Sequence, residues 1–447
     1  MSEFKVGFSK VNITPDIPLP LGGYGSEKNR VFDRVLNEIY FTAIAITGEN
    51  GKTLLLCSYD MSLVRDILYD EFAKRIKEEL GIEKEYFHLS STHTHSSVAI
   101  WFKDEKVDKY REDMIKKGIK ACKLAIADQK RAEIYVAETK TDRLTFVRHY
   151  MREDGNVTTD NYNPGGTTAT IVKHLTEPDE TMRLIKFKRY NTDDSEAKDV
   201  LIINYQVHNH MTGGGKKKDL AADIPGSIRD YVESSHNCLA AYFQGCAGNL
   251  NEKSRIPSEN RTTNYLEYGR LFAEYINDVY DNMTKMPTGD IIVKREMFPI
   301  TINRAEEDRL EDAKRVVAYR TEHGVDDECK KLAIECGFHS PYHATAVVIR
   351  SAIKEKEYLV PLNVYRIGDI GWTTAPFEVF DQTGVEIRKA SPYPFTVTQG
   401  YTDGGYSYLP TEIAFEYGCY EADITRNAKG SAEKVRDKLI EMLNEIK

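Results

Sequence analysis

No stretch of this 447-residue chain approaches the roughly 18 consecutive apolar residues that a membrane-spanning helix requires. The N-terminus, MSEFKVGFSK, has neither the apolar core nor the small-residue cleavage site of a signal peptide, so a cytoplasmic location is expected. Cysteine is scarce: seven residues, at 57, 122, 238, 246, 329, 336 and 419, with no C-x-x-C pair. An odd, scattered set of this kind fits reduced thiols rather than a disulfide framework. Positive charge is in the minority, with 61 Lys and Arg against 70 Asp and Glu and a net charge of −9. No long basic stripe exists, which argues against a nucleic-acid partner. The lysines of GGGKKK (213–218) are too few to change that and read as a solvated loop. Internal repeats and low-complexity linkers are also lacking.

What is present is ordinary for a soluble globular protein: 41% hydrophobic and 29% charged residues. Apolar periodicity switches repeatedly between about 2 and about 3.6 residues, the pattern of interleaved strands and helices. NEIYFTAIAI (37–46), KTLLLCSYD (52–60), YFHLSS (86–91), RAEIYVAET, DVLIINYQVH and NCLAAYFQG read as strands. ATAVVIR, LVPLNVYRIG and IGWTTAP read as further strands. Residues 63–80, about 105–127, the stretch after Pro225, 305–324, 378–390 and about 428–446 read as helices. The fold class is α/β: one large mixed-sheet domain spanning 1–447, with a loop-rich excursion near 141–180 of the kind that tends to carry function.

The chemistry concentrates in histidines. STHTHSS, within residues 90–97, follows the strand 86–91 and places His93 and His95 two residues apart. Side chains so spaced on an extended segment share a side. VHNHMTGGG repeats the arrangement with His208 and His210, just past the strand 200–207. One histidine at a strand end is ordinarily a hydrogen-bonded structural residue. Two pairs, each leaving a strand for a loop rich in small residues, point to a metal site built from distant segments. Imidazole suits zinc, and hydrolytic zinc sites take three protein ligands and leave a position for water.

Several segments resemble the catalytic domain of the neutral ceramidases, zinc amidases that cleave the N-acyl bond of ceramides. NITPDIPLPLGGYG (12–25) is similar to the family's I-T-P…G-Y-G opening, and STHTHSS to its T-H-T-H-S-G-P, with Ser97 and Val98 replacing Gly-Pro. VFDRVLNEIYFTAIAI, CSYDM, VHNHMTGGGKKKDLAADIPG, APFEVFDQTGVEIRKA and DGGYSYLPTEIAFEYGCYEA resemble further family segments. The resemblance implies zinc ligands His93, His208, Glu378 and Tyr408, with Tyr406 a competitor for Tyr408. It implies catalytic roles for His95 as proton shuttle or carbonyl partner and for Tyr420 and Arg148 as carbonyl partners. Asp33, Asp60 and Asp223 become candidates for orienting the ligating imidazoles.

The departures shape the expected function. Where the family has G-D-x-S-P-N, with a serine proposed as nucleophile, this chain has Asn249 and Asn251. An amide is neither nucleophile nor general base, so water activated by the metal must attack. Cys246 nearby reads as a small buried residue. The resemblance finds no counterpart of the family's C-terminal immunoglobulin-like domain, and composition suggests no interfacial anchor. The expectation is a zinc-dependent hydrolase of an amide or of an ester or lactone in a small soluble molecule, without stable membrane association. True ceramidase activity and a non-catalytic ceramidase-like binding protein are the alternatives.

Overall fold

In the computed structural model, residues 3–24, 30–159, 169–214 and 217–447 are described. Gly25, part of 160–180 and two residues of the GGGKKK loop thus fall wholly or partly outside the described residues.

Runs of apolar residues, buried on both faces, build the first sheet. Its strands are β1 (Lys5–Asn12), β2 (Tyr40–Thr47), β3 (Thr53–Tyr59), β4 (Phe87–Ser91), β5 (Lys130–Lys140), β6 (Thr181–Tyr190), β7 (Asp199–Tyr205) and β8 (Cys238–Gln244), with β9 (Thr284–Met286) paired to β5. The spatial order is β8-β7-β6-β5-β1-β2-β3-β4. Pairing is antiparallel except for β3/β4 and β7/β8. A second sheet follows: β10 (Ile291–Thr301), β11 (Glu357–Ile367), β12 (Ile370–Thr374) and β13 (Phe395–Gln399), with β12/β13 parallel.

Each strand sorts its side chains by parity. On β3, Leu54 and Leu56 face the second sheet, where they meet Trp372 and Val397 in a shared core. Leu55, Cys57 and Tyr59 face the opposite way, onto helices α1 (Asp66–Leu80) and α2 (Glu105–Ala127). On β7, Leu201 and Ile203 pack under α3 (Asp223–Ser235) and α4 (Tyr265–Tyr280). On β11, Val360, Leu362 and Val364 face away from the shared core, into the cluster that holds side chains from two helices introduced below. The result is four layers, helix, sheet, sheet, helix, which explains why so many strands read as continuously apolar.

A helical excursion, α5 (Leu310–His323), α6 (Asp327–Glu335) and α7 (Pro341–Ser351), lies between β10 and β11. The chain ends with α8 (Asp381–Ala390), α9 (Glu412–Tyr417), α10 (Tyr420–Ile424) and α11 (Ser431–Glu445). Ile387 of α8 and Val435, Leu439 and Leu443 of α11 cover the outer face of the second sheet.

ATAVVIR is helical, not a strand. Ser340 caps α7 by accepting from the His343 amide, Pro341 occupies the first turn, and Ala344 and Val347 are buried at helical spacing. That start signal overrides the β-branched run. The expected helix 305–324 begins as a helix only at Leu310, after a short 3-10 turn, and α3 begins at Asp223, taking Pro225 into its first turn. Within the described part of the excursion 141–180, His149–Arg152 pairs with Val157–Thr159 and with Ile171–His174.

Candidate metal centre and active site

Strand ends at the parallel pairs deliver the site residues, as expected where loops leave α/β sheets. Past β4 the backbone turns so sharply that His93 adopts a left-handed conformation, φ 61°. Asn209, between His208 and His210, stitches the two histidine loops together. Its Nδ2 donates to Thr92 O at 2.6 Å and to Gln244 Oε1 at 2.9 Å, and its carbonyl accepts from the His95 amide at 3.0 Å. Glu378 follows β12 and pairs in parallel register with Tyr408.

The imidazoles converge through their Nε2 atoms. His93 Nε2 lies 3.0 Å from His208 Nε2 and 3.1 Å from His95 Nε2. Glu378 Oε2 lies 3.5 Å from His93 Nε2 and 3.6 Å from His208 Nε2. The tautomers follow from the outer partners, since a carbonyl can only accept. His93 Nδ1 donates to Ser62 O at 2.6 Å and His208 Nδ1 to Ala247 O at 3.0 Å. Both inward Nε2 atoms therefore present bare lone pairs. Burial drives all three imidazoles down, His93 to about 3 and His95 and His208 well below the usual value, so all three are uncharged at neutral pH and no proton lies between the His93 and His208 Nε2 atoms.

Mutually repelling acceptors so close are unfavourable unless a cation sits between them. Glu378 Oε2 is buried with no hydrogen-bond partner. With zinc–ligand bonds of about 2.0–2.1 Å, a tetrahedron has edges of about 3.3–3.4 Å. The four separations bracket that value, and the donor set of two or three nitrogens with one carboxylate oxygen suits zinc. The residues fit the metal. Burial also pushes the Glu378 carboxyl up to about 7, against the pull of Arg148 and Tyr408.

Around this centre stand Arg148 and several tyrosines. Arg148 Nε lies 2.5 Å from Glu421 Oε1, Arg148 Nη2 donates to Gly248 O at 2.9 Å, and its guanidinium carbon lies 5.4 Å from the Tyr408 ring centroid. Its charge is felt at His93, His95, His208 and Glu378. The rings of Tyr408 and Tyr420 meet edge to face with centroids 6.1 Å apart. Burial raises both phenols above their ordinary value, so both hydroxyls remain protonated donors near neutrality. Tyr401 packs its ring 4.2 Å from that of His93, and Tyr24 meets His95 edge-on at 5.1 Å.

No family model and no curated protein matches the sequence. Solved structures do match. A neutral ceramidase from Pseudomonas aeruginosa superimposes with a TM-score of 0.74 over 99% of this chain and 74% of its own, at 16% identity. A ceramidase complexed with C2 gives 0.73, with 99% and 75% covered, also at 16% identity. The fold is that of neutral ceramidase. At this identity the likeness establishes the architecture, and the site must be argued from its own atoms.

On the ceramidase fold, the seven residues expected at the site divide cleanly. His93, His95, His208 and Glu378 come together, with Tyr408 beside Glu378 and Arg148 and Tyr420 beside Tyr408. Tyr406 does not compete: its ring stacks on Tyr358 at 5.5 Å. None of the three aspartates is hydrogen-bonded to an imidazole of the cluster. Asp60 forms a two-pronged buried ion pair with Arg229 at 3.0 and 2.7 Å, Asp223 accepts from Thr212, and Asp33 is exposed. The imidazoles are oriented instead by the Ser62 and Ala247 carbonyls. Asn249 exchanges hydrogen bonds with Asp381 at the start of α8, at 2.7 and 3.0 Å, and Asn251 lies 3.2 Å from His210 Nε2. Cys246 is buried among core residues and its thiol is pushed up to about 11 by burial, unfit for a nucleophile. Sequence reasoning missed Glu421, His149 and the pairing of His210 with Glu252 at 2.9 Å. Glu421, directly after Tyr420, is the one whose position carried a signal, in the Y-E pair already quoted.

Among the described residues no helix is long and apolar enough to cross a membrane.

Proposed function

We propose that this protein is a zinc-dependent hydrolase that cleaves an amide, or an ester or lactone, of a small soluble molecule with activated water as nucleophile. The observation that carries the reading is the convergence of bare imidazole nitrogens and an orphaned carboxylate oxygen on one point. His93, His208 and Glu378 would hold the ion, with Tyr408 and His95 completing its surroundings. Bound zinc supplies Lewis acidity and acidifies water toward neutrality. Arg148 and the Tyr420 hydroxyl offer N–H and O–H donors to a carbonyl oxygen as it gains charge, an effect often amounting to a few kcal/mol per donor. His95 would take a proton from the attacking water and pass it to the leaving group. Packing by Tyr401 and Tyr24 excludes bulk water from the imidazoles.

The nearest alternative is ceramide hydrolysis by the same groups, favoured by the likeness to two ceramidase structures. A non-catalytic role gains no support from the asparagines, since Asn249 is tied to Asp381 and the converging nitrogens are intact.

Metal analysis of the purified, metal-replete chain tests the reading: about one zinc per chain, lost in His93→Ala/His208→Ala, is expected. Chelator-sensitive hydrolysis should then be screened across short N-acyl amides, lactones and ceramides. Absence of stoichiometric metal would remove the proposed nucleophile, and robust ceramide turnover would replace the substrate class.

A further inference from the structure

We infer that Glu421, His149 and Tyr417 form a hydrogen-bonded chain that positions Arg148 for the reaction. The inference rests on the hydrolase reading of the site.

Both oxygens of the Glu421 carboxylate are engaged by consecutive residues. Oε1 lies 2.5 Å from Arg148 Nε, and Oε2 lies 2.9 Å from His149 Nε2. The other nitrogen of that imidazole, Nδ1, lies 2.9 Å from the Tyr417 hydroxyl. Glu421 is fully buried and His149 is 1% exposed. Tyr417 lines a cavity of about 220 Å³ with Leu175, Phe380 and Ile413, so the chain runs from that cavity to the cluster around Glu378.

A simple structural ion pair would need only one cation on Glu421. Here a carboxylate aligned by a second donor sits on the Nε–Nη2 edge of the guanidinium through Oε1, and the Gly248 carbonyl accepts from the same Nη2, so that edge is held from two sides. The third face of Arg148 is left toward Tyr408. Burial alone would raise the Glu421 carboxyl, but Arg148 and His149 hold it well below the usual range. Glu421 thus remains an anion in a dry setting and keeps the arginine in one orientation. Arg148 is the group that touches substrate; Glu421, His149 and Tyr417 act through it.

A double-mutant cycle on the zinc-loaded protein tests this, with inorganic phosphate as an oxyanion probe read by calorimetry. Arg148→Met should weaken phosphate about 10- to 100-fold, in line with loss of a charge-assisted hydrogen bond. Glu421→Gln should weaken it about tenfold, and the double variant should bind no more weakly than Arg148→Met alone. Zinc content should stay at one per chain in all three. Tyr417→Phe, which removes a single hydroxyl, should give a smaller loss in the same direction and keeps the test alive if Glu421→Gln fails to fold. Additive losses, or unchanged affinity in both Glu421→Gln and Tyr417→Phe, would overturn the inference, as would failure of the zinc-loaded wild type to bind phosphate. Absence of zinc from the wild type would sink the functional reading and this inference with it, whereas one zinc with additive losses sinks the inference alone.

Discussion

Replacing Glu378 by glutamine should change how the metal-free protein responds to acid. In the folded chain burial holds the Glu378 carboxyl at about 7 against an ordinary value of 4.5. A raised carboxyl contributes stability that is complete below pH 4.5 and is lost as pH rises through 7. At about 1.4 kcal/mol per pH unit, this amounts to about 3 kcal/mol gained on going from pH 7 to pH 4. His93 works in the opposite sense. Its imidazole, depressed to about 3 from 6.5, contributes above pH 6.5 and loses about 3 kcal/mol over the same interval. The two nearly cancel in the wild type, leaving His95 and His208, depressed in the same direction as His93, to make the metal-free protein acid-sensitive. Glu378→Gln keeps the imidazole losses and deletes the carboxyl gain. The variant should therefore lose about 3 kcal/mol more than the wild type between pH 7 and pH 4. Urea unfolding followed by circular dichroism, in chelator at both pH values, measures the difference, and groups common to both proteins drop out to first order. Equal pH dependence in the two proteins, to within about 1 kcal/mol, would refute the claim that this carboxylate is desolvated beside the imidazoles.

Three further outcomes are expected. His95→Gln separates ligand from proton carrier: zinc content falls if Nε2 ligates, whereas a retained ion with a flattened pH–rate profile marks a proton carrier, with plasma mass spectrometry and kinetics as the two readouts. Tyr420→Phe should lower kcat about 10- to 1,000-fold without changing zinc content, as expected for loss of one oxyanion donor; unchanged kcat in a steady-state assay would remove Tyr420 from the chemistry. Asp60→Asn leaves the buried Arg229 guanidinium without its charge partner and should cost about 3–5 kcal/mol, seen as a lower melting temperature with zinc stoichiometry intact.

The part of the site visible in the sequence was the part encoded locally. Two H-x-H pairs lie within a few residues of apolar strands, a spacing that flagged them although the turn at His93, and not strand alternation, aims its ring. Glu378 and Tyr408 have no such local signature and were reached through resemblance. Their pairing in one short parallel ladder, with Tyr406 turned onto Tyr358, is a property of the tertiary structure. The Glu421–His149 contact joins residues 272 apart, and nothing in either neighbourhood announces the other. The aspartates were misjudged for a related reason: a carboxylate near a strand end serves an arginine or a turn as readily as an imidazole, and Asp60 found Arg229. In the fold, valine and isoleucine in ATAVVIR obscured a Ser-Pro helix start. Helix α4 carried its own signals, an Asn264 cap and buried residues at 268, 272, 276 and 280, yet was passed over.

The donors straddle the two sheets. His93 and His208 leave β4 and β7 of the first, whereas Glu378 follows β12 of the second. An ion gripped by His93, His208 and Glu378 together would act as a rivet through the seam. At a free concentration 100 times its dissociation constant such a rivet adds about 2.7 kcal/mol. That resistance is directed against sliding one layer from the other, so stripping the ion should weaken the seam between the sheets more than either sheet by itself.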